Sequence, residues 1–283
     1  MKPSSSDAKE TRLPVQADVL RKLQHTELNI LHTFIEICEK KNFRYFILGG
    51  TLIGAVRHKG FIPWDDDIDV GMPRADYEKF LQQGPALLPK KYFLQSYHSE
   101  AHSPWPFAKL RDTTTIYKER EVSNLPVQQG VWIDVFPIDW CNLKTYWLIA
   151  TIQRMLANRV GTRFVGSKRL ARRILGLFSP LLCPSWHKAV AWQDKLGQLR
   201  KRDTGYMGNL FGRYGRKEIV PTSWFDQPAY LEFEGLKVAA PKEYHQYLTQ
   251  IYGDYMKLPP KEKQVSLHAT TEIKFNINNE VKL

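Results

Sequence analysis

The chain has 283 residues, of which 43% are hydrophobic and 25% charged, the composition of an ordinary globular protein with its own core. Its three cysteines are far apart and form no CxxC or Cys/His cluster, which argues against a structural zinc site or a disulfide framework. We therefore expect a reducing, cytoplasmic setting. The polar first 14 residues do not resemble a secretory signal, and no apolar run reaches the roughly 18 residues of a membrane span.

The net charge of +12 is concentrated in one segment. Residues 141–202 contain 13 Lys or Arg and a single acidic residue, Asp194, so the rest of the chain is neutral overall. Local positive charge indicates a partner for that segment more strongly than diffuse charge would.

Hydrophobic periodicity predicts the first elements. After a disordered lead over residues 1–14, apolar residues at three- to four-residue multiples predict an amphipathic helix over residues 15–41, with Asn42 as its stop. A β-branched and aromatic run predicts a strand over residues 44–48, which ends abruptly at Gly49-Gly50.

Helices and strands continue to alternate after the glycines. The predicted elements are a helix over 51–58, a strand over 68–72, a helix over 76–88, and strands over 92–97, 107–111 and 131–136. This alternation predicts an α/β (α+β) catalytic core over residues 15–140. Residues 141–205 are predicted to be a basic and mostly helical insertion. Residues 206–283, with a turn at Glu234-Gly235 and a helix over 241–251, are predicted to complete the domain.

Gly49 and Gly50 stand where a predicted strand meets a predicted helix. Glycine has no Cβ, so the backbone at such a turn can approach a ligand closely. The free N–H groups of a helix that starts at Thr51 would face the same point and suit an anion such as phosphate. A pair of glycines is more often a simple turn or helix cap, so the interpretation depends on the residues that follow.

A run of aspartates follows the glycine turn: Asp65, Asp66, Asp67 and Asp69. On an extended strand, alternate side chains share a face, so Asp67 and Asp69 would point together toward the glycines while Asp66 faces away. Clustered carboxylates repel unless a cation neutralises them, and oxygen ligands favour Mg²⁺ or Mn²⁺ over zinc. We therefore predict a Mg²⁺ (or Mn²⁺) site at Asp67 and Asp69, with Asp65 as a further candidate ligand. In isolation, an acidic run would more often be a solvated loop.

Asp134 lies in the otherwise apolar segment 130–137. A carboxylate in such a strand is costly to bury without a partner, and a shared metal or the proton of an acceptor hydroxyl would provide one. We predict Asp134 as a metal ligand, a general base, or both. The alternative is a hydrogen bond to a neighbouring loop. Asp139, past Pro137, is predicted to be a helix N-cap.

Several residues near this core are candidates for binding a phosphate-containing substrate. Arg57 and His58 follow the glycine turn, and Lys109 and Arg111 lie on a neighbouring predicted strand, although each alone would more often be a surface charge. The predicted substrate-binding residues are Gly49, Gly50, Thr51, Arg57, His58, Lys109 and Arg111.

At these residues the sequence resembles the LicD family. The resemblance is carried by LGGTLIGAVRH at 48–58, GFIPWDDDID at 60–69, Arg74, Asp76 and Tyr77, and residues 132–139, 252–256 and 258–260. The family comprises phosphocholine transferases of bacterial surface glycans. It belongs to the wider nucleotidyltransferase fold and is similar to the eukaryotic fukutin-related ribitol-phosphate transferases.

The resemblance implies a nucleotidyltransferase-like mixed sheet flanked by helices, with Asp67, Asp69 and Asp134 converging on Mg²⁺. It implies transfer of phosphocholine, or a similar phospho-alcohol, from CDP-choline or another CDP-alcohol, with release of CMP. The implied acceptor is a hydroxyl of a surface-glycan precursor (teichoic acid, capsule or lipopolysaccharide) that could be lipid-linked. The family's C-terminal region is richer in histidine than this one, so no role is assigned to His268.

Two other functions are weighed against this one. A nucleotidyltransferase that adds NMP to a small-molecule hydroxyl would use the same glycines and carboxylates, because both reactions are displacements at phosphorus. A non-catalytic nucleic-acid-binding module would use the basic segment but leave the carboxylates unexplained, so nucleic acid is not expected as a partner.

The segment 144–200 has its own candidate partner. Apolar residues beside Lys168, Arg169, Arg172 and Arg173 are typical of an amphipathic helix that rests on anionic lipid, and an ordinary packing helix is the main alternative. A peripheral contact with the inner face of the membrane is therefore expected. Trp64, Trp105 and Trp132 could hold a quaternary ammonium by cation–π contact or could equally be core.

Overall fold

The computed structural model describes residues 16–120, 122–160, 185–200, 202–266 and 270–277. The predicted lead over residues 1–14, the basic stretch around residues 168–173 and His268 lie outside these ranges. In the described chain, no helix combines the length and the apolar character needed to cross a bilayer.

Helices and strands alternate along the described chain. The α-helices are α1 (Ala17–Lys41), α2 (Gly49–His58), α3 (Arg74–Gln83), α4 (Tyr146–Val160), α5 (Trp186–Gly197) and α6 (Tyr244–Tyr252). The strands are β1 (Phe46–Ile47), β2 (Asp69–Pro73), β3 (Tyr92–Gln95), β4 (Ala108–Asp112), β5 (Ile116–Glu119), β6 (Trp132–Trp140), β7 (Tyr206–Asn209), β8 (Ile219–Pro221), β9 (Pro228–Phe233), β10 (Leu236–Pro241) and β11 (Thr270–Lys274).

A mixed sheet of seven described strands organises the molecule. Strands β1, β2, β6, β4 and β3 lie side by side in that order, and β7 and β8 continue the sheet from the far end of β6. Strands β2 and β6 are parallel, whereas the other described pairs of this sheet are antiparallel. Two further pairs, β9 with β10 and β5 with β11, form small separate sheets. The predicted mixed α/β fold is confirmed.

Helix α1 packs on the sheet because one of its faces is apolar. Leu23, Ile30 and Leu31 on this face are fully buried. Further along it, the ring of Phe34 meets the ring of Phe80 edge-on, with 5.2 Å between the centroids. The helix ends at Asn42, which adopts the left-handed conformation that commonly terminates helices and which the sequence predicts as the stop.

Two of the predicted boundaries that differ from the structure affect the candidate site residues and Asp139. Helix α2 begins at Gly49 rather than Thr51, so the glycines form its first turn instead of preceding it. Strand β6 continues to Trp140 instead of ending at residue 136. Asp139 is consequently a buried strand residue and not the predicted helix N-cap, because Arg74 neutralises its charge inside the fold.

Several short strands are not predicted by the sequence: β5, β7, β8, β9, β10 and β11. Strands β5, β7 and β11 pair with strands distant in the chain, so their own sequences carry little local signal. The predicted turn at Glu234-Gly235 is confirmed. It joins β9 to β10, and both residues have positive φ, which suits a tight hairpin.

Arg74, at the start of α3, ties three elements together. Its Nε and Nη2 atoms donate to the two carboxylate oxygens of Asp139 on β6, at 2.8 and 2.6 Å. Its Nη1 atom donates to Asp194 on α5 at 2.8 Å, and the hydroxyl of Tyr97 donates to the same carboxylate. The pKa of Asp139 is raised, chiefly by burial, although Arg74 acts to lower it. Asp194, the single acid of residues 141–202, thus fastens the helical segment to the sheet.

Replacing Arg74 with methionine should therefore destabilise the protein strongly. The Arg74→Met substitution leaves two buried carboxylates without their counter-charge, and we expect the free energy of unfolding to fall by about 3–5 kcal/mol in urea titrations. Lys59→Met is the matched control. The Lys59 side chain is 75% exposed and pairs with Glu232, which is 57% exposed, so its loss should cost no more than about 1 kcal/mol. Equal losses in the two variants would contradict this account of the cluster.

Candidate active site

The two glycines lie against two aspartates at the start of α2. Gly49 has φ of +55°, and a Cβ added there would lie 2.5 Å from Oδ2 of Asp69. A Cβ at Gly50 would lie 2.5 Å from Oδ2 of Asp65. Both positions therefore exclude a side chain. The close approach expected of this turn exists, and the carboxylates nearest to the two glycines are those of Asp69 and Asp65.

The acidic run is a loop followed by a strand, and not one extended strand. Asp65, Asp66 and Asp67 precede β2, and one ligand oxygen from each lies within 4.8 Å of those of the other two. Asp66 was predicted to face away from its neighbours, which is wrong. It is almost fully buried and belongs to this group, because the loop lets three successive side chains converge.

Asp66 is held from the far side of the loop. The hydroxyl of Ser266 donates to its Oδ2 atom, and the hydroxyl of Tyr117 lies 3.5 Å from the same oxygen. The deep position of Asp66 and these partners from distant parts of the chain fix the loop on the body of the protein. Asp65 and Asp67, on either side, remain partly exposed.

Asp69 and Asp134 form a second pair of carboxylates beside the loop. They are direct partners in the parallel register of β2 and β6, so their side chains project from the same face of the sheet. Lys109 on β4 is the antiparallel partner of Asp134, and its Nζ lies 3.1 Å from the Asp134 carboxylate. The Lys109 ammonium is thus a counter-charge for Asp134 on the face of the sheet that also carries Asp69.

Lys109 and Arg111, which are predicted to bind phosphate, are buried and paired with other groups of the protein. Arg111 is fully buried and donates to Gln95 at 2.6 Å, to the Gly130 carbonyl at 2.7 Å and to Glu119 at 3.0 Å. Lys109 donates to Glu119 at 3.2 Å as well as pairing with Asp134. A phosphate could reach neither side chain without breaking this network, so both act as internal counter-charges.

Two of the candidate aromatic rings already contact a cation. The Lys109 ammonium lies 4.7 Å from the ring centroid of Trp105 and 4.1 Å from that of Trp132. Both tryptophans are buried, and the Trp132 ring also contacts Arg111. These rings therefore belong to the core around Lys109, which favours the second of the two interpretations of the tryptophans.

Thr51 positions an aspartate rather than lining a cavity for substrate. It is buried, and its Oγ1 atom accepts a hydrogen bond of 2.9 Å from the backbone N–H of Asp69. This contact joins the first turn of α2 to the first residue of β2. The predicted direct contact of Thr51 with substrate is not supported by this geometry.

Arg57 and His58 lie in the last turn of α2, partly exposed. Arg57 donates from Nη1 to the Tyr255 carbonyl and from Nε to Nε2 of His58, each at 2.9 Å. Burial and the Arg57 charge lower the pKa of His58, so its ring is neutral at pH 7. Burial lowers the pKa of Arg57 while the Asp65 charge raises it, so the guanidinium interacts electrostatically with the acidic loop. Of the four basic candidates, Arg57 is the one that is partly exposed and also interacts with Asp65 in this way.

Helix α1 contributes two polar residues that the sequence analysis missed. Gln24 donates from Nε2 to the backbone carbonyl of Asp65 at 3.0 Å, and Glu27 is 2% exposed. Burial and the charges of the aspartates around the loop raise the pKa of Glu27 well above its ordinary value. Their positions in the helical repeat could have identified them, because both residues fall on the apolar face of α1, where polar side chains are not expected.

The glycine turn generates a prediction about cation binding. Gly49→Ala adds a Cβ both at positive φ and against Asp69, so we expect destabilisation of about 1–2 kcal/mol together with weaker binding of Mn²⁺ in calorimetric titrations. Gly235→Ala is the control. Gly235 also has positive φ, but a Cβ there would meet nothing within 4 Å, so only stability should change. Unaltered Mn²⁺ affinity in Gly49→Ala would show that Asp69 does not contribute.

Comparisons with known proteins agree with this geometry. A family model described as the LicD/FKTN/FKRP nucleotidyltransferase domain matches residues 42–151, a range that contains every aspartate of the site. The lipopolysaccharide cholinephosphotransferase LicD of Haemophilus influenzae is 33% identical over 261 residues, which cover 88% of this chain and 96% of that protein.

Shorter similarities are confined to part of the chain. Ribitol 5-phosphate transferase FKRP of Homo sapiens is 45% identical over 38 residues, which are 13% of this chain and 8% of that protein. An uncharacterized protein of Rickettsia prowazekii, RP689, is 54% identical over 48 residues, or 17% and 18% of the two chains. The extent of the similarity to the Haemophilus protein decides the assignment: the chain belongs to the LicD family of transferases and is related to fukutin-related protein.

Proposed function

We propose that the protein transfers phosphocholine, or a similar phospho-alcohol, from a CDP-activated donor to a hydroxyl of a surface-glycan precursor, with Mg²⁺ as cofactor. The observation that carries this proposal is the meeting of the glycine turn with Asp65 and Asp69 at the start of α2. The start of a helix attracts phosphate, and carboxylates beside it would repel phosphate unless a cation stood between them. The name of the Haemophilus relative supports phosphocholine as the group and lipopolysaccharide as the acceptor.

The residues present fit a divalent cation. Three loop aspartates offer oxygens within 4.8 Å of one another, and their donor set contains no His or Cys, which suits Mg²⁺ or Mn²⁺. We propose that Asp67, Asp69 and Asp134 bind the cation, with Asp65 as an additional ligand. When bound, Mg²⁺ would supply positive charge that neutralises the negative charge developing during displacement.

The proposed reaction is one displacement at phosphorus. The oxygen of the acceptor hydroxyl attacks the phosphorus that carries choline, and the bond from that phosphorus to the CMP oxygen breaks. The hydroxyl proton passes to Asp69 or Asp134, and CMP leaves with the bonding electron pair. The N–H groups of the first turn of α2 orient the donor phosphates, and Arg57 is the side chain best placed to offset their charge.

Replacing the aspartates should abolish this reaction. With Mg²⁺, CDP-choline and a glycan acceptor, we expect Asp67→Ala, Asp69→Ala and Asp134→Asn to release CMP at least about a hundredfold more slowly than the wild-type protein. Asp226→Ala is the control, because Asp226 is an exposed carboxylate distant from the acidic loop in sequence. Normal turnover in Asp67→Ala and Asp69→Ala would refute the metal-site argument.

The same assay separates phospho-alcohol transfer from nucleotidyl transfer. If CDP-choline carries a radioactive phosphorus next to cytidine, phosphocholine transfer leaves all label in CMP. Nucleotidyl transfer would instead place that label on the acceptor. CDP-ribitol and CDP-glycerol, assayed in parallel, would identify the alcohol.

We further propose that the helical segment contacts an anionic membrane surface peripherally. Helices α4 and α5 expose large apolar side chains next to basic ones, which is the composition of surfaces that rest on anionic lipid. The exposed apolar residues are Trp147, Leu148, Trp192 and Leu199, and the exposed basic residues include Lys144, Arg154, Lys188, Lys195 and Arg200.

Vesicle binding tests this contact. The wild-type protein should sediment with vesicles that contain phosphatidylserine and not with phosphatidylcholine vesicles, and the double variant Trp147→Ser/Trp192→Ser should lose most of this binding. Tyr230→Ser removes an equally exposed aromatic ring from β9 and should have no effect. Binding that is unchanged in the double variant would exclude this surface as the contact.

A further inference from the structure

Glu27 is a carboxylate on the buried, mainly apolar face of α1. On α1 it lies one turn from Leu23 on one side and one turn from Leu31 on the other, and both leucines are fully buried. Glu27 itself is 2% exposed. A carboxylate so far from solvent is costly unless a hydrogen-bond donor, a counter-charge or a cation compensates it.

The protein provides no such compensation for one of its oxygens. Among the described residues, the buried Oε2 atom of Glu27 has no hydrogen-bond partner. Two polar neighbours do have partners: Gln24, on the same face of α1, donates to the carbonyl of Asp65, and Asp66 accepts from Ser266. Gln24 and Asp66 are therefore compensated by hydrogen bonds, whereas Oε2 of Glu27 is not.

Glu27 belongs to the acidic loop spatially. The bond from Gln24 to Asp65 holds α1 over the loop, and Glu27 follows less than one helical turn later. The charges of Asp67, Asp66 and Asp65 act on Glu27 in that order of strength and raise its pKa further, after burial. Tyr117, whose hydroxyl faces Asp66, is influenced by both Asp66 and Glu27. Glu27 thus faces the loop carboxylates from the interior.

We propose that Glu27 is a ligand of the divalent cation at the acidic loop, and that it approaches the cation from the buried, α1 side of the site. This inference rests on the proposed cation site. A cation there would give Oε2 its missing electropositive partner and turn repulsion between Glu27 and the aspartates into shared attraction. Mg²⁺ has six ligand positions, so a buried carboxylate on one side leaves outward positions for substrate phosphate and water.

The competing explanation is a buried carboxylic acid that stays protonated and only packs against the loop. The two explanations differ for Glu27→Gln, which keeps the shape and removes the charge. A protonated acid replaced by an amide should leave cation affinity unchanged. A cation ligand replaced by an amide should weaken it, although removing a charge from the core could raise the stability of the cation-free protein.

Manganese titration of the full-length protein decides between them. We expect Glu27→Gln to unfold in EDTA at the wild-type temperature or higher, and to bind Mn²⁺ at least about tenfold more weakly by calorimetry and by the loss of the free-Mn²⁺ electron paramagnetic resonance signal. Glu36→Gln is the matched control on the same helix, since the Glu36 side chain is 64% exposed, and its affinity should equal that of the wild type. Wild-type affinity in Glu27→Gln would overturn the proposal.

A second variant protects the test against misfolding. Glu27→Asp retains the charge and withdraws the carboxylate by one methylene, so it should also bind Mn²⁺ more weakly. Wild-type affinity in this variant would count against the proposal.

The experiments distinguish failure of this inference from failure of the proposed function. Loss of Mn²⁺ binding in Glu27→Gln supports the inference even if no CDP-alcohol yields CMP. CMP release by a wild-type protein that binds no Mn²⁺ would overturn the inference and leave phosphocholine transfer standing.

Discussion

Repulsion between carboxylates is the constraint around which the centre of this protein is arranged. The loop aspartates, the strand pair Asp69 and Asp134, and Glu27 of α1 all lie around the start of α2, several of them largely out of water. Like charges held together in a poorly solvated place need counter-charges, hydrogen bonds or protons. Among the described residues, Lys109 lies 3.1 Å from Asp134 and also pairs with Glu119. A bound cation would add positive charge to this group of carboxylates and, through it, attract phosphate.

The rest of the fold holds these groups where they would not otherwise stay. The parallel register of β2 and β6 brings Asp69 beside Asp134, and Thr51 links β2 to the first turn of α2. Behind this face, Arg111 donates to Gln95, Gly130 and Glu119, so the strands that carry the site cannot shift without breaking buried ionic hydrogen bonds. The architecture is therefore rigid behind the site and partly open in front, where Asp65 and Asp67 reach solvent.

Much of the organisation could be predicted because it depends on local chemistry. The amphipathic helix and its stop at Asn42, the strand–glycine–helix order and the mixed α/β fold follow from periodicity and from the special backbone freedom of glycine. What failed were assignments that depend on partners far away in the chain. The local sequence predicts Asp139 as a helix cap, yet Asp139 lies inside a strand, where Arg74 pairs with it. Arg111 is predicted to bind phosphate, yet it is fully buried and donates to Gln95, Gly130 and Glu119.

By itself, the sequence determined that glycines and carboxylates would meet near one helix start, since their order and types carry that information, and its LicD-like motifs indicated the family. Only the tertiary structure decided how the carboxylates are grouped. A loop allows three successive aspartates to converge where an ideal strand would have separated them, so Asp66 joins Asp65 and Asp67. Strand register brings Asp134 to Asp69, and helix packing brings Glu27 to the loop from far away in the chain. Such proximities arise from packing of the whole chain, which no short segment encodes.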